Sequence, residues 1–209
     1  MSLDLSTPLH LPGAEYSEHD KEYEESFKRT VGSGRYHFFN HFGSNTVEEI
    51  LARIRYFVKV NKCKYIILDH ISIIVSSQQH ATDERRTLDE CMTKLRMLVQ
   101  ELDFCLFLVS HLSRPSEQKG SHEEGLNTSL RHLRGSQSIA QLSDIVLGLE
   151  RNGQADDIVE RDTTRVRVMK NRFSGLTGSC ASLIYNRKTG RIVEKVLDLT
   201  PEKDDEDCL

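Results

Sequence analysis

The sequence predicts an α/β fold, a parallel-cored sheet flanked by helices and closed by a carboxy-terminal β-hairpin. Three observations carry that prediction. Tyr65-Ile-Ile-Leu68 and Phe104 to Val109 are short, continuous apolar runs, the pattern of strands buried on both faces. Amphipathic helical patterns alternate with them, which is the order of a parallel sheet with crossover helices. Near the end, Arg187-Lys-Thr-Gly190 separates two β-prone runs as a hairpin turn does.

Taken in order, residues 1–34 read as a loose or helical lead-in, 35–196 as the core, and 197–209 as an acidic disordered tail. Pro8 and Pro12 interrupt the start, and Glu18 to Thr30 is charged and helical in pattern. Gly32-Ser-Gly34 breaks the chain, and Tyr36-His-Phe-Phe39 is expected as a short buried strand. Thr46-Val-Glu-Glu49 is a capping box, followed at helical spacing by Val47, Ile50, Leu51, Ile54, Phe57 and Val58, so Thr46 to Val60 is expected as a helix. The strand Tyr65 to Leu68 follows, then an expected strand Ile71 to Val75. Asp83 opens a second helix whose Leu88, Met92, Leu95, Val99 and Leu102 form one apolar stripe, leaving Arg85, Arg86, Lys94 and Arg96 for solvent or a partner. After the strand Phe104 to Val109, Ser113 to Arg131 has no apolar period and is long for a loop in a compact domain. Strands are expected at Ile145 to Leu149, Thr164 to Met169 and Ala181 to Tyr185, the last paired in a hairpin with Arg191 to Glu194.

Composition narrows the class. With 37% apolar and 29% charged residues among 209, the chain is long enough for one domain with a substantial core. A net charge of −4 argues against a generally basic nucleic-acid sleeve, yet Arg and Lys dominate from Arg161 to Lys195, so a local cationic surface remains open. Cys63, Cys91, Cys105, Cys180 and Cys208 show no C-x-x-C spacing and read as thiols of a reducing compartment. The apolar runs are too short to span a bilayer, and no signal-peptide order is evident, so no membrane partner is expected.

Ligands of open parallel sheets collect at the carboxyl ends of strands, and several polar residues of this chain fall there. Asp69 ends the first strand; such a carboxylate holds magnesium through water in nucleotide hydrolases, although a strand-end Asp more often caps the next turn. His111 ends Leu-Val-Ser-His, where an imidazole can sense a terminal phosphate or simply bond nearby backbone. Leu133-Arg-Gly-Ser136 would let backbone N–H groups and the Arg134 guanidinium approach a phosphate backbone, or it is merely a turn before a short helix. Lys170-Asn-Arg172 places two cations at a strand end, suited to an arginine finger or to ordinary solvation.

The order of these segments is more informative than any one of them. Ile-Ile-Leu-Asp-His-Ile-Ser, Ser-His-Leu, Leu-Arg-Gly-Ser with Gln-Leu-Ser-Asp, Leu-Glu-Arg-Asn, Lys-Asn-Arg-Phe-Ser-Gly-Leu-Thr-Gly and Tyr-Asn-Arg-Lys-Thr-Gly together resemble the ring-shaped replicative DNA helicases of the bacteriophage primase-helicase and mitochondrial Twinkle group, from about Tyr36 to Glu194. The resemblance implies a RecA-like core, a hexameric ring, Mg2+ with ATP or dTTP between subunits, and 5′ to 3′ translocation on single-stranded DNA in replication. It implies that Asp69 is the magnesium-side carboxylate, His111 the phosphate sensor, and Gln141 a residue coupling nucleotide state to the DNA loop. Arg134, Gly135 and Ser136 correspond to that loop, Lys170 and Arg172 to the cations acting across the interface, and Arg151 with Tyr185 to the pair around the base. It also implies the cytoplasm of a phage-infected cell, or a mitochondrion for an organellar member.

One departure is large. No G-x-x-x-x-G-K-[ST] occurs in the 209 residues, so the backbone cradle, its Lys and its magnesium hydroxyl are missing, as is the family's strand bearing the water-activating glutamate. The chain is therefore expected to be an incomplete helicase core, inactive alone, or one part of a split enzyme whose partner chain supplies the phosphate loop. The alternatives are a non-hydrolysing module that binds single-stranded DNA or a ring interface, with Arg85, Arg86 and Arg96 contributing contacts, and a RecA-type recombinase relative.

Overall fold

A computed structural model of the chain describes residues 20–39, 46–71, 81–113, 121–133 and 137–195, with the backbone alone at residues 20 and 81–84. The elements are α1 (Asp20–Arg29), α2 (Val47–Lys59), β1 (Tyr65–Leu68), α3 (Ala81–Leu102), β2 (Cys105–Leu108), α4 (Gln137–Leu142), β3 (Ile145–Arg151), α5 (Ile158–Asp162), β4 (Thr163–Asn171), β5 (Gly178–Asn186) and β6 (Arg191–Lys195).

Helix α2 begins where the capping box places it. The Thr46 hydroxyl accepts from the Glu49 N–H at 3.2 Å, and the Glu49 carboxylate accepts from the Thr46 N–H at 2.8 Å, so two of the helix's orphan donors are satisfied reciprocally. The apolar faces of α2 and α3 meet over one side of the parallel pair β1–β2, burying Ile50, Ile54, Ile66, Leu88, Cys91, Leu95 and Phe104. Each fully buried Leu or Ile contributes about 1.5–3 kcal/mol, so this contact rather than helix propensity holds the two helices in place. Among the described residues the opposite face of the pair is uncovered: Ile67 is 74% exposed and Phe107, its register partner, 54%.

Strands β3-β4-β5-β6 form a second, antiparallel sheet in that order. Here β3 alternates, with Val146, Gly148 and Glu150 buried and Ile145, Leu147 and Leu149 exposed. The hairpin expected at Arg187 to Gly190 joins β5 to β6, and α4 leads directly into β3. The parallel pair and the terminal hairpin are thus as the sequence predicts.

One expected strand is not found. Tyr36 to Phe39 is irregular and exposed, because an apolar run becomes a strand only beside a partner edge, and no strand among the described residues pairs with it. Of Ile71 to Val75 only Ile71 is described, as a buried turn residue, and the rest lies outside the described residues. The acidic tail likewise lies outside them. No helix among the described residues is long and apolar enough to cross a membrane.

Candidate nucleotide and nucleic-acid site

The parallel register brings the carboxyl ends of β1 and β2 level. The Val109 N–H donates to the Leu68 carbonyl and the Ile71 N–H to the Val109 carbonyl, each at 3.0 Å. Asp69 and His111 therefore leave adjacent strands at the same rim, and the rings of His70 and His111 meet edge to face at 4.2 Å. Asp69 is exposed and has no hydrogen-bond or ion-pair partner among the described residues. A carboxylate left bare at a strand end fits a water-bridged magnesium, which keeps most of its own waters and needs only one or two protein carboxylates. No cluster of three or more His, Cys, Asp or Glu side chains able to enclose a metal directly occurs among the described residues.

A second group stands at the carboxyl ends of β3 and β5, which run the same way because both are antiparallel to β4. Arg151 donates to the Arg161 carbonyl at 2.7 Å and lies 3.6 Å from the Asp162 carboxylate. The same carboxylate receives a two-pronged bond from Arg187, at 2.6 and 2.8 Å. That bond, outweighing the effect of burial, holds the Asp162 pKa below the ordinary carboxylate value. Tyr185 lies two residues before Arg187, paired with Ile192 at the same end of β5. Arg151 and Tyr185 thus share one rim, with Arg151 fixed from behind by Asp162, an anchor that the sequence pattern does not reveal.

The third group lies at the other end of the same sheet. Lys170 donates to the carbonyls of Ala140, Gln141 and Ser143 at 2.6, 3.1 and 2.8 Å. Arg172 reaches the Asp144 carboxylate and the Gln141 carbonyl, both at 3.3 Å. Gln141 itself sits in the last turn of α4 with its side chain exposed. Because Thr164 pairs with Arg151, the eight residues from Thr164 to Arg172 separate the second and third groups by roughly 25 Å at a strand rise of ~3.3 Å per residue. Arg134, Gly135 and Ser136 lie outside the described residues.

The expected cationic face of α3 is largely neutralised. Arg96 pairs with Asp144 at 2.5 Å, Lys94 with Glu48 at 2.6 Å and Arg86 with Glu90 at 3.1 Å. Two of these acids are far away in sequence, so helical periodicity alone could not show that the face is already occupied.

One buried network escaped sequence reasoning altogether. Glu150, 2% exposed, accepts from the Thr128 N–H and hydroxyl at 2.6 and 2.8 Å and from Arg167 at 2.7 Å. Its signal was present: strand alternation puts Glu150 on the buried face with Val146 and Gly148, where a carboxylate requires partners. The network ties the Ser121–Leu133 segment across β3, and Gly148 allows the approach, since a Cβ there would fall 1.9 Å from the Thr128 hydroxyl oxygen.

Known proteins share this fold. A DnaB-like replicative helicase, solved in a study of its interactions with primase, superposes with a TM-score of 0.65 at 19% identity, over 92% of this chain and 46% of that one. A KaiC-like protein of the archaeon Pyrococcus horikoshii gives 0.55 at 16% identity, over 85% and 70%. Both likenesses establish a RecA-like fold. In sequence, the DNA helicase/primase of Enterobacteria phage T3 is 38% identical over 171 residues, 82% of this chain and 29% of that protein. A probable plasmid replicative DNA helicase of Chlamydia psittaci is 28% identical over 126 residues, 60% of this chain and 26% of that protein. The chain thus spans less than a third of the length of either relative. The family described as the DnaB-like helicase C-terminal domain matches residues 19–194, nearly the whole chain, and the protein belongs to that family.

Proposed function

We propose that the chain is part of a replicative DNA helicase core that hydrolyses ATP or dTTP at subunit interfaces of a hexameric ring and moves 5′ to 3′ on single-stranded DNA. One observation carries this reading. Arg172 stands at the opposite end of the antiparallel sheet from Arg151 and Tyr185, roughly 25 Å away along β4, so a single chain cannot bring both to one nucleotide. Two neighbouring copies can, one offering Arg151 and Tyr185 to the base and the other Arg172 to the phosphates, where a guanidinium stabilises the charge that develops during transfer.

In that arrangement Asp69 would hold Mg2+, which would supply charge neutralisation at the phosphates, and His111, at the same rim, would contact the terminal phosphate. Arg134, Gly135 and Ser136 contact the DNA backbone, which makes binding indifferent to sequence and dependent on salt. The 209 residues contain no phosphate loop, so hydrolysis needs a polypeptide segment that carries one.

Two assays test the proposal. The isolated chain is expected to bind oligo-dT without hydrolysing ATP or dTTP, and vigorous turnover by the chain alone would contradict it. Arg134→Ala should weaken binding equally across sequences and lower the salt slope by about one unit. Unchanged affinity would remove the loop assignment.

A further inference from the structure

Strand β4 runs between the two strands that carry Arg151 and Tyr185, and its register decides which side chain lies between them. Arg151 pairs with Thr164 and Thr164 with Leu183, so these three side chains stand in one row on one face of the sheet. That face is opposite the one holding Glu150, whose row continues through Arg165 to buried Ser182. Tyr185 follows Leu183 by two residues along β5 and so returns to the face of Thr164. At this rim Thr164 is therefore the β4 side chain between Arg151 and Tyr185.

Spacing and chemistry both single it out. Strands β3 and β5 stand roughly 9.5 Å apart, at ~4.8 Å per strand. A planar ring touched on both faces needs about 7 Å, at ~3.5 Å per contact, so Arg151 and Tyr185 leaning inward close on one ring whose edge faces β4. Arg151 is turned to offer a flat face: its Nε–H donates to the Arg161 carbonyl at 2.7 Å, and a terminal nitrogen lies 3.6 Å from the Asp162 carboxylate. A guanidinium with its edge so occupied stacks on a base without reading the base's hydrogen-bonding pattern, and stacking on a phenol ring is equally tolerant. Nearby polar groups are committed elsewhere, the Thr163 hydroxyl to the Val159 carbonyl and the Asp162 carboxylate to Arg187. Thr164 is half-buried, and its hydroxyl has no hydrogen-bond partner among the described residues.

We propose that the Thr164 hydroxyl hydrogen-bonds the edge of the nucleotide base held between Arg151 and Tyr185. The proposal rests on the base-binding role of that pair and adds the polar contact that stacking lacks. A hydroxyl both donates and accepts, so it meets an amino group or ring nitrogen of adenine and a carbonyl of thymine equally well. The subsite therefore takes ATP and dTTP alike, with Leu183 forming an apolar wall beside the contact.

The test is a methyl NMR titration of the full chain in Mg2+ with three probes, ATP, dTTP and inorganic tripolyphosphate. In the wild type the Thr164 and Leu183 methyl resonances should shift with either nucleotide, whose base brings a ring current, and stay in place with tripolyphosphate. Thr164→Val keeps the branched shape that suits a strand and removes the hydroxyl. Its ATP and dTTP affinities should each fall about three- to tenfold, the worth of one neutral hydrogen bond, with tripolyphosphate affinity unchanged. Thr164→Ser, which retains the hydroxyl, should bind both nucleotides within about twofold of wild type. A merely structural role reverses that order, tolerating Val and not Ser, and would overturn the proposal, as would equal losses of ATP and tripolyphosphate binding in Thr164→Val. Unaltered ATP affinity in Thr164→Val beside weakened binding in Tyr185→Ala would overturn the contact and leave the stacking pair standing. Wild-type methyls that ignore both nucleotides would defeat the base-binding reading itself, and the proposal with it.

Discussion

Replacing Glu150 by Ala removes the centre of the buried network. The substitution strands the Arg167 guanidinium, which is 28% exposed, and leaves the Thr128 N–H and hydroxyl without their acceptor. Removing one member of a buried ion pair costs about 3–5 kcal/mol, and a buried donor left unsatisfied costs about 1–3 kcal/mol. Arg167's remaining contact with water offsets part of this, so the expected loss is about 3–5 kcal/mol. For a chain of this size each kcal/mol moves Tm by about 2–4 °C, giving a fall of roughly 10 °C in a circular-dichroism melt at pH 7. The effect carries a pH signature. Burial raises the Glu150 pKa, and the bonds from Arg167 and Thr128 outweigh it, leaving the folded value below the ordinary 4.5. A depressed carboxyl contributes fully above its unfolded pKa and loses that contribution as pH falls through the folded value. The gap in Tm between wild type and Glu150→Ala should therefore narrow below about pH 4.5. A variant melting within about 2 °C of wild type at pH 7, or a gap that widens with acid, would refute the reasoning.

Other expectations follow from the same contacts. Gly148→Ala places a methyl group against Thr128, itself fixed by Glu150, so the segment must lift; we expect a loss of about 1–3 kcal/mol and faster hydrogen exchange at residues 121–129, measured by mass spectrometry. Burial pushes the Cys91 thiol up to about 11, whereas Cys105 and Cys180 are exposed. At pH 8 iodoacetamide should label the latter two in the folded protein and reach Cys91 only on unfolding, as peptide mapping would show.

Much of the fold was legible because local chemistry agreed with tertiary structure. The Thr46 box fixed the start of α2, the apolar stripe of α3 named its buried face, and Arg187 to Gly190 turned as expected. Tyr36 to Phe39 misled because apolar content alone does not supply a neighbouring strand edge. The strand-end residues Asp69, His111 and Arg172 could be picked out as candidates, since their positions follow from where apolar runs stop, whereas Arg151 was a candidate only through the family resemblance. Their partners could not. Arg96 meets Asp144, Arg151 meets Asp162, and Lys170 meets α4 through contacts that depend on a bulge at Met169 and on chain folding over long separations. Glu150 lies between these cases: its inward phase was readable, but not the loop that satisfies it.

The most direct test of the central claim is a mixed ring. A phosphate-loop-bearing helicase subunit whose own finger arginine has been replaced hydrolyses ATP poorly, and adding this chain should restore hydrolysis stimulated by single-stranded DNA. The account predicts restoration by the wild type and none by Arg172→Ala. Equal restoration by both, or none by either in rings shown to contain the chain, would contradict it.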